Sequence, residues 1–500
     1  MLLALPDPCL LAVLQCLAAD DQRSLCSAAR SHSRLHQAAV AARNSITAHI
    51  TEQQQMDSVL LYLSKHGQHV DSIDLFGVEE GAVELRQLPS NRQLSSLQLE
   101  HLHLQLQPGN GSHGVLGAAE AAPLKQLRLI DCELLDGEEQ LAAALYQLPA
   151  ELEHLSISGL TADELWVQVP TGPLQQLQQL THLELTRCRL KSPVEGELAL
   201  QPLQALTRLQ DLRLAADDGE MDKLPADDDR LNASMLAAAQ HLTRLEVSGC
   251  WHEDGPFWVE PGVLVGKTQL QHVQLANCCI GSLAWVNNKA GGADLLSYLQ
   301  DLQQLTHLGL GGSHSWEEGD IAPAVTSALT ASSKLQHLDI SGWMLPAAVW
   351  SHMFRTGRRL PHLRSLNITG VVHPTRCGFH AYATAPAGSQ LIDCCPGLQS
   401  LHMQDLKHSA KLLPALHGLS GLHTLGLSAV QAHEQLDGVC QLTGLRELVV
   451  RAPDVAQGLL LQLTQLKQLM ALTYSGPLDA SVVTISLACQ VRCTPRFKLS

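Results

Sequence analysis

A short apolar phrase recurs along this chain: Leu-x-x-Leu-x-Leu, then two residues, then often Cys. It reads Leu124–Leu127–Leu129–Cys132, Leu180–Leu183–Leu185–Cys188, Leu242–Leu245–Val247–Cys250 and Leu270–Val273–Leu275–Cys278. Weaker copies begin at Val70, Leu94, Leu152, Leu209, Leu305, Leu335, Leu363, Leu398, Leu422, Leu445 and Leu469. The copies return at roughly 23 to 35 residues, a period that suits one strand and its return segment. A unit of that size cannot bury its apolar side alone, so neighbours stack and share one core. Side chains alternate along a strand. The fourth and sixth positions of the phrase, such as Leu183 and Leu185, therefore face inward, and the residues beside them face outward.

The phrase and its period resemble the leucine-rich repeat in its cysteine-containing form. The resemblance implies an α/β fold: a leucine-rich-repeat solenoid, curved like a horseshoe, with parallel strands on its concave face. Residues 70–480 are the expected solenoid, about fifteen repeats, and residues 481–500 a terminal cap and tail. The returns Ala293–Leu305 and Ala322–Ser333 read as helical, whereas copies from Leu398 onward return after 24, 23 and 24 residues and imply extended or 3₁₀ connections. Thr51–His66 carries Met56, Val59, Leu60 and Leu63 on one stripe and stops at Gly67. It reads as a helix closing the start of the solenoid, with residues 46–69 as linker and cap.

Aromatic residues are only 3% of the chain, so the core is aliphatic. The net charge of −16 disfavours nucleic acid and anionic membrane surfaces, where clustered Lys and Arg supply the affinity. No apolar run reaches the ~20 residues of a membrane span. The Cys at one fixed, inward position of the repeat read as reduced core thiols, which points to the cytoplasm or nucleus and away from a disulfide framework. The pairs Cys278–Cys279 and Cys394–Cys395 lack a matching His cluster, so no metal and no cofactor is expected. Of the glycosylation triplets at Asn110, Asn232 and Asn367, the last falls inside an expected strand. The acidic stretch Ala215–Arg230 reads as a solvated insertion.

Residues 1–45 lack the phrase and read as short helices. Their apolar residues recur at helical spacing, after Pro6-Asp7-Pro8 and without preceding Lys or Arg, which favours an amphipathic helix over an export signal. The segment Leu5-Pro6-Asp7-Pro8-Cys9-Leu10-Leu11-Ala12-Val13-Leu14-Gln15-Cys16-Leu17, with Asp21, Leu25 and Ala28 to Leu35, resembles an F-box. The resemblance implies a substrate receptor of a cullin-RING ubiquitin ligase. Its F-box would pack on a Skp-type adaptor, and through it a cullin, while the repeats hold the target. Leu5, Pro6, Leu10, Leu11, Leu14, Leu17 and Leu25 are the adaptor-facing or F-box-core residues this implies. The Trp of the family's closing segment is absent and Pro8 stands where an acidic residue is common, so a repeat scaffold without a ligase stays open.

No GxSxG, phosphate-binding glycine loop or HExxH is present, and a non-catalytic role is expected. The outward residue before the second Leu is His154, His182, His272, His307 and His337 in five copies, interrupted by Asp211 and Arg244. A second outward row holds Arg128, Glu184, Arg213, Glu246, Asp339 and Asn367. His182, Arg213, Arg244, His272, His307 and His337 are therefore candidate target contacts. The row reads either as drift of a repeated phrase or as a partner surface that gains positive charge as pH falls toward ~6.5, in which case binding of an acidic partner would strengthen from pH 7.5 to 6. Trp251, Trp316 and Trp343, with Trp258 and Trp285, follow strands of neighbouring repeats and are either exposed anchors on one rim or buried fillers of irregular insertions.

Overall fold

The computed structural model describes residues 45–475 apart from 80–81, 90, 107–114, 117–122, 136, 163–164, 193–197, 216–229, 250–256, 281–290, 313–322, 344, 346–347, 375–379, 383–385, 387, 405–414, 429–438, 440 and 452–465. The F-box-like segment, the acidic insertion, the tail, Cys250, Trp251, Trp285 and Trp316 lie outside the described residues.

These residues fall into two compact units, one reaching to Asp229 and taking in Met235–His241, the other made of Arg230–Ser234 and the chain from Leu242. In the first unit, parallel strands follow in chain order: β1 (Ser45–His49), β2 (Ser72–Phe76), β3 (Ser96–Glu100), β4 (Gln126–Ile130), β5 (His154–Ser158), β6 (His182–Thr186) and β7 (Asp211–Ala215). The second unit repeats the arrangement with β8 (Arg244–Ser248), β9 (His272–Ala276), β10 (His307–Gly309), β11 (His337–Asp339), β12 (Ser365–Ile368), β13 (Ser400–Gln404), β14 (Thr424–Ser428), β15 (Glu447–Arg451) and β16 (Ala471–Ser475). Every copy of the phrase contributes one strand. The fold is a leucine-rich-repeat solenoid of α/β class.

Burial follows the alternation. Leu183 and Leu185 are buried while His182, Glu184 and Thr186 between them are half-buried. The return segments stack on the other side of the coil. In the first unit α1 (Gln53–His66), α2 (Glu138–Tyr146) and 3₁₀ turns at Gly172–Gln176 and Gln201–Ala205 serve; in the second, α3 (Gly291–Leu299) lies between 3₁₀ segments Pro261–Leu264 and Pro323–Thr330. Pro opens or nearly opens the turns at 172, 201 and 261, where a missing amide costs nothing and the fixed φ suits the turn. Within the expected helix Ala322–Ser333, Pro323–Thr330 is a 3₁₀ segment.

The sheet also begins one strand earlier than Val70. Ser45–His49 pairs in register with Ser72–Phe76 and buries Ile46. α1 is therefore the return segment between two paired strands, not a cap before the first one. It buries Met56 and Leu63, whereas Val59 and Leu60 are only half-buried.

The Cys position is inward, as its place in the phrase requires. Cys132, Cys188 and Cys278 are buried and unoxidised. The thiols of Cys132 and Cys278 donate to the carbonyls of Leu99 and Val247, the sixth phrase positions of the preceding repeats, at 3.4 and 3.5 Å. Burial pushes the Cys132 and Cys188 thiols up to about 12, so they are inert.

Just before that position the backbone is left-handed: His101, Asp131, Arg187 and Asn277 have φ of 52°, 50°, 49° and 53°, and Gly159 has φ of 63°. The turn lets each amide reach the next repeat's strand end, as Asp131 N does to Ser158 O at 2.8 Å and Gly159 N to Thr186 O at 3.0 Å. Gly159 has a second duty. The Asp131–Arg187 ion pair crosses directly over it, and a Cβ at 159 would land on the Asp131 carboxylate. Gly159→Ala is expected to cost about 2 kcal/mol or more, against about 1 for Gly357→Ala, whose φ of 85° shares the strain but whose Cβ meets open space. Urea denaturation of both variants checks this, and equal losses would contradict it.

Among the described residues no helix is long and apolar enough to cross a membrane.

Candidate functional site

The strand register brings the outward residues of each unit into rows. In the first unit, Gln126, His154, His182 and Asp211 align across β4 to β7, and Arg128, Ser156, Glu184 and Arg213 form the row beside them. All of these but Ser156, which is buried, line an open cavity of about 480 Å³. The His154 and His182 rings stack at 5.2 Å. Arg128 Nε donates to His154 Nε2 at 3.2 Å, Ser156 Oγ donates to Glu184 Oε2 at 2.9 Å, and Arg213 Nε lies 3.3 Å from Asp211 Oδ1. The surface is polar, of mixed sign and internally braced.

The Thr–His dipeptides fix ring tautomers. Thr181 gives its hydroxyl proton to Glu153 O at 2.9 Å, so at 2.8 Å from His182 Nδ1 it accepts the ring N–H. Thr306 does the same between Gln271 O, at 2.8 Å, and His307 Nδ1, at 2.9 Å. Nε2 of both rings is then left as an acceptor.

In the second unit Arg244, His272, His307, His337 and Ser365 form the first row, and Glu246, Gln274, Gly309, Asp339, Asn367 and His402 the second. Arg244 and His272 both reach Glu246 Oε1, the latter at 2.8 Å. Burial disfavours the Glu246 charge, but the bonds from His272 and Arg244 outweigh it and hold the carboxyl down at about 2. Asn367 lies in β12 and gives its amide to Asp339 at 3.1 Å, in line with its expected place in a strand.

One expectation needs correction, and one open choice is decided. Three rings of the His row, His154, His307 and His337, are shifted away from the charged form. Burial, then Arg128 and His182, pull His154 down to about 4; burial, then His337 and His272, do the same to His307. His337 is lowered by burial, then by Arg364 and His272. His154 and His307 stay neutral from pH 7.5 to 6, so they add no attraction for an acidic partner across that range; His337 is shifted in the same direction. Trp343, in turn, is not an exposed anchor. It is 1% exposed, and its Nε1 donates to Leu310 O at 2.8 Å. Residue 343 stands where other repeats carry Cys, and its indole N–H takes the same sixth-position carbonyl that the Cys thiols take. Trp258 is half-buried in a short strand paired with Arg230–Leu231 and Cys279–Ile280.

Sequence reasoning passed over Lys267, a Lys only 2% exposed at the inward position three residues before the phrase. Leu177, Leu206, Leu302 and Leu360 fill that position in other repeats. Burial lowers the Lys267 ammonium below its ordinary range. Asn91, also in this column, gives its amide to Val70 O at 2.6 Å. Among the described residues no group of three or more His, Cys, Asp or Glu could hold a metal ion.

No family model and no curated protein matches this chain. Among solved structures, a leucine-rich-repeat protein of Leptospira interrogans is similar at 13% identity with a TM-score of 0.39, over 87% of this chain and 96% of that one. The repeat assignment stands on this chain's own strand register and burial.

Proposed function

We infer that this leucine-rich-repeat protein is a protein-interaction scaffold, and more specifically the substrate-recognition subunit of an SCF-type ubiquitin ligase. The observation that carries the first part is the pair of polar rows on the sheet face of each unit. Their side chains are set by a buried repeat core and braced by hydrogen bonds, so little order is lost when a partner docks. The second part is supported by the F-box-like segment from Leu5 to Leu35. A unit that small gains stability by burying its apolar side on a partner. The chain itself does no chemistry in this reading; it holds a target near a ubiquitin-transfer enzyme. Its place would be the cytoplasm or nucleus.

A pull-down of the purified chain with a Skp-type adaptor tests this, beside the double variant Leu10→Asp/Leu14→Asp. Capture by the parent and its loss in the variant, with equal melting temperatures, are expected. A well-folded parent that captures no adaptor would leave a repeat scaffold without a ligase.

A further inference from the structure

The imidazole stack of the second unit stops at His337. His272, His307 and His337 stand face to face, with centroids 4.9 and 4.2 Å apart and planes within 28° and 17°. The next strand sets Ser365 opposite His337. A hydroxymethyl group cannot continue a stack of rings, so one face of His337 is left without a successor. Beside this step Gly309 has no side chain, and a Cβ there would meet the Gln274 amide. The Gln274 side chain occupies the space above Gly309, and an open cavity of about 240 Å³ lies beside it, lined among others by His337, Asp339, Ser365, Asn367 and His402.

Asp339 is the carboxylate among the lining residues, while Arg364 contributes positive charge near His337. Asp339 Oδ1 accepts from Ser341 N at 2.9 Å and Oδ2 from Asn367 Nδ2 at 3.1 Å. Those bonds fix the carboxylate and leave it further lone pairs. Among the described residues no Lys or Arg forms an ion pair with it. Ser365 adds a hydroxyl acceptor, and the ring of His337, whose charging burial disfavours, presents a π face to a cation. A planar cation with several N–H donors meets all three demands at once, whereas a compact ammonium uses only the charge.

We propose that this cavity is an anchor site for an arginine side chain of the bound protein, its guanidinium lying on the open face of His337 above Ser365 and donating to Asp339. The owner of the arginine rests on the scaffold reading given above; the site itself does not, because a small probe can occupy it.

The test is a nuclear magnetic resonance titration of the full chain, with ¹³C-labelled histidine rings, against N-acetyl-arginine amide and its lysine and citrulline counterparts. Arginine is expected to shift the His337 ring signals to saturation. The lysine compound should bind more weakly and the uncharged citrulline compound should not bind. Asp339→Asn should weaken arginine binding about tenfold or more. Ser365→His should abolish it without lowering stability, because it extends the stack with a residue the neighbouring repeats already carry. Absence of a shift with arginine would overturn the proposal, as would lysine binding equally well or both variants binding like the parent. If arginine binds and no adaptor is ever captured, the anchor stands and the ligase reading falls; the reverse pair of results removes only the anchor.

Discussion

Trp343→Ala is expected to destabilise the protein by about 4 kcal/mol, the range for truncating a buried aromatic side chain. The indole is 1% exposed, and its removal also strips Leu310 O of the donor that sits 2.8 Å away. Trp343→Phe separates the two losses. It keeps most of the ring volume and forfeits the hydrogen bond, for an expected cost of about 1–2 kcal/mol. Both values come from urea denaturation, with an unchanged slope as the sign that the unfolding unit is the same. Binding through the sheet face, measured on the folded fraction, should be unaltered by Trp343→Phe. A Trp343→Ala protein as stable as the parent would mean that the indole is not part of the core.

The second large effect is loss of stability on acidification. His154 and His307 titrate at about 4 in the folded chain, below the ordinary value of 6.5, because burial and neighbouring positive charge disfavour the imidazolium. Protons therefore bind the unfolded chain first as pH falls. The contribution of these rings is intact above pH 6.5 and declines progressively as pH falls from there to about 4. Undiscounted, each would contribute about 3 kcal/mol. Both rings are partly solvated, and screening brings the expected loss to on the order of 1–2 kcal/mol each. Glu246, held down at about 2, loses its contribution only at still lower pH, from about its ordinary 4.5 downward. Denaturation curves at pH 7.5, 6.5, 5.5 and 4.5 should show little change over the first interval and a steepening fall after it. His154→Gln/His307→Gln should flatten that fall. A parent curve that is level to pH 4.5 would contradict the assigned neutral rings.

Much of this was legible because the repeat is written in residues that a strand forces to alternate. Each copy of the phrase gave a strand, and the residues between its leucines gave the outward rows, down to His272, His307 and His337 lying on one another. The first strand was missed because Ser45–His49 carries Ile46 and Ala48 where later copies carry Leu. Trp343 was readable in principle: counting eight residues from Leu335 reaches the same inward position that Cys132 reaches from Leu124. That count decides between the exposed-anchor and buried-filler readings. The lowered titration of His154, His307 and His337 was not legible at all. It depends on burial and on Arg128, Arg244 and Arg364 standing close by, which are properties of assembled strands.

The most direct test of the account is quantitative co-purification from the source cells with three forms of the full chain. These are the parent, Leu10→Asp/Leu14→Asp, and the sheet-face variant His182→Ala/Glu184→Ala/Arg213→Ala. The account predicts that the captured proteins divide into two sets: an adaptor and cullin lost only with the first variant, and target proteins lost only with the second. Capture that is indifferent to the sheet-face variant, in a chain with parental stability, would contradict it.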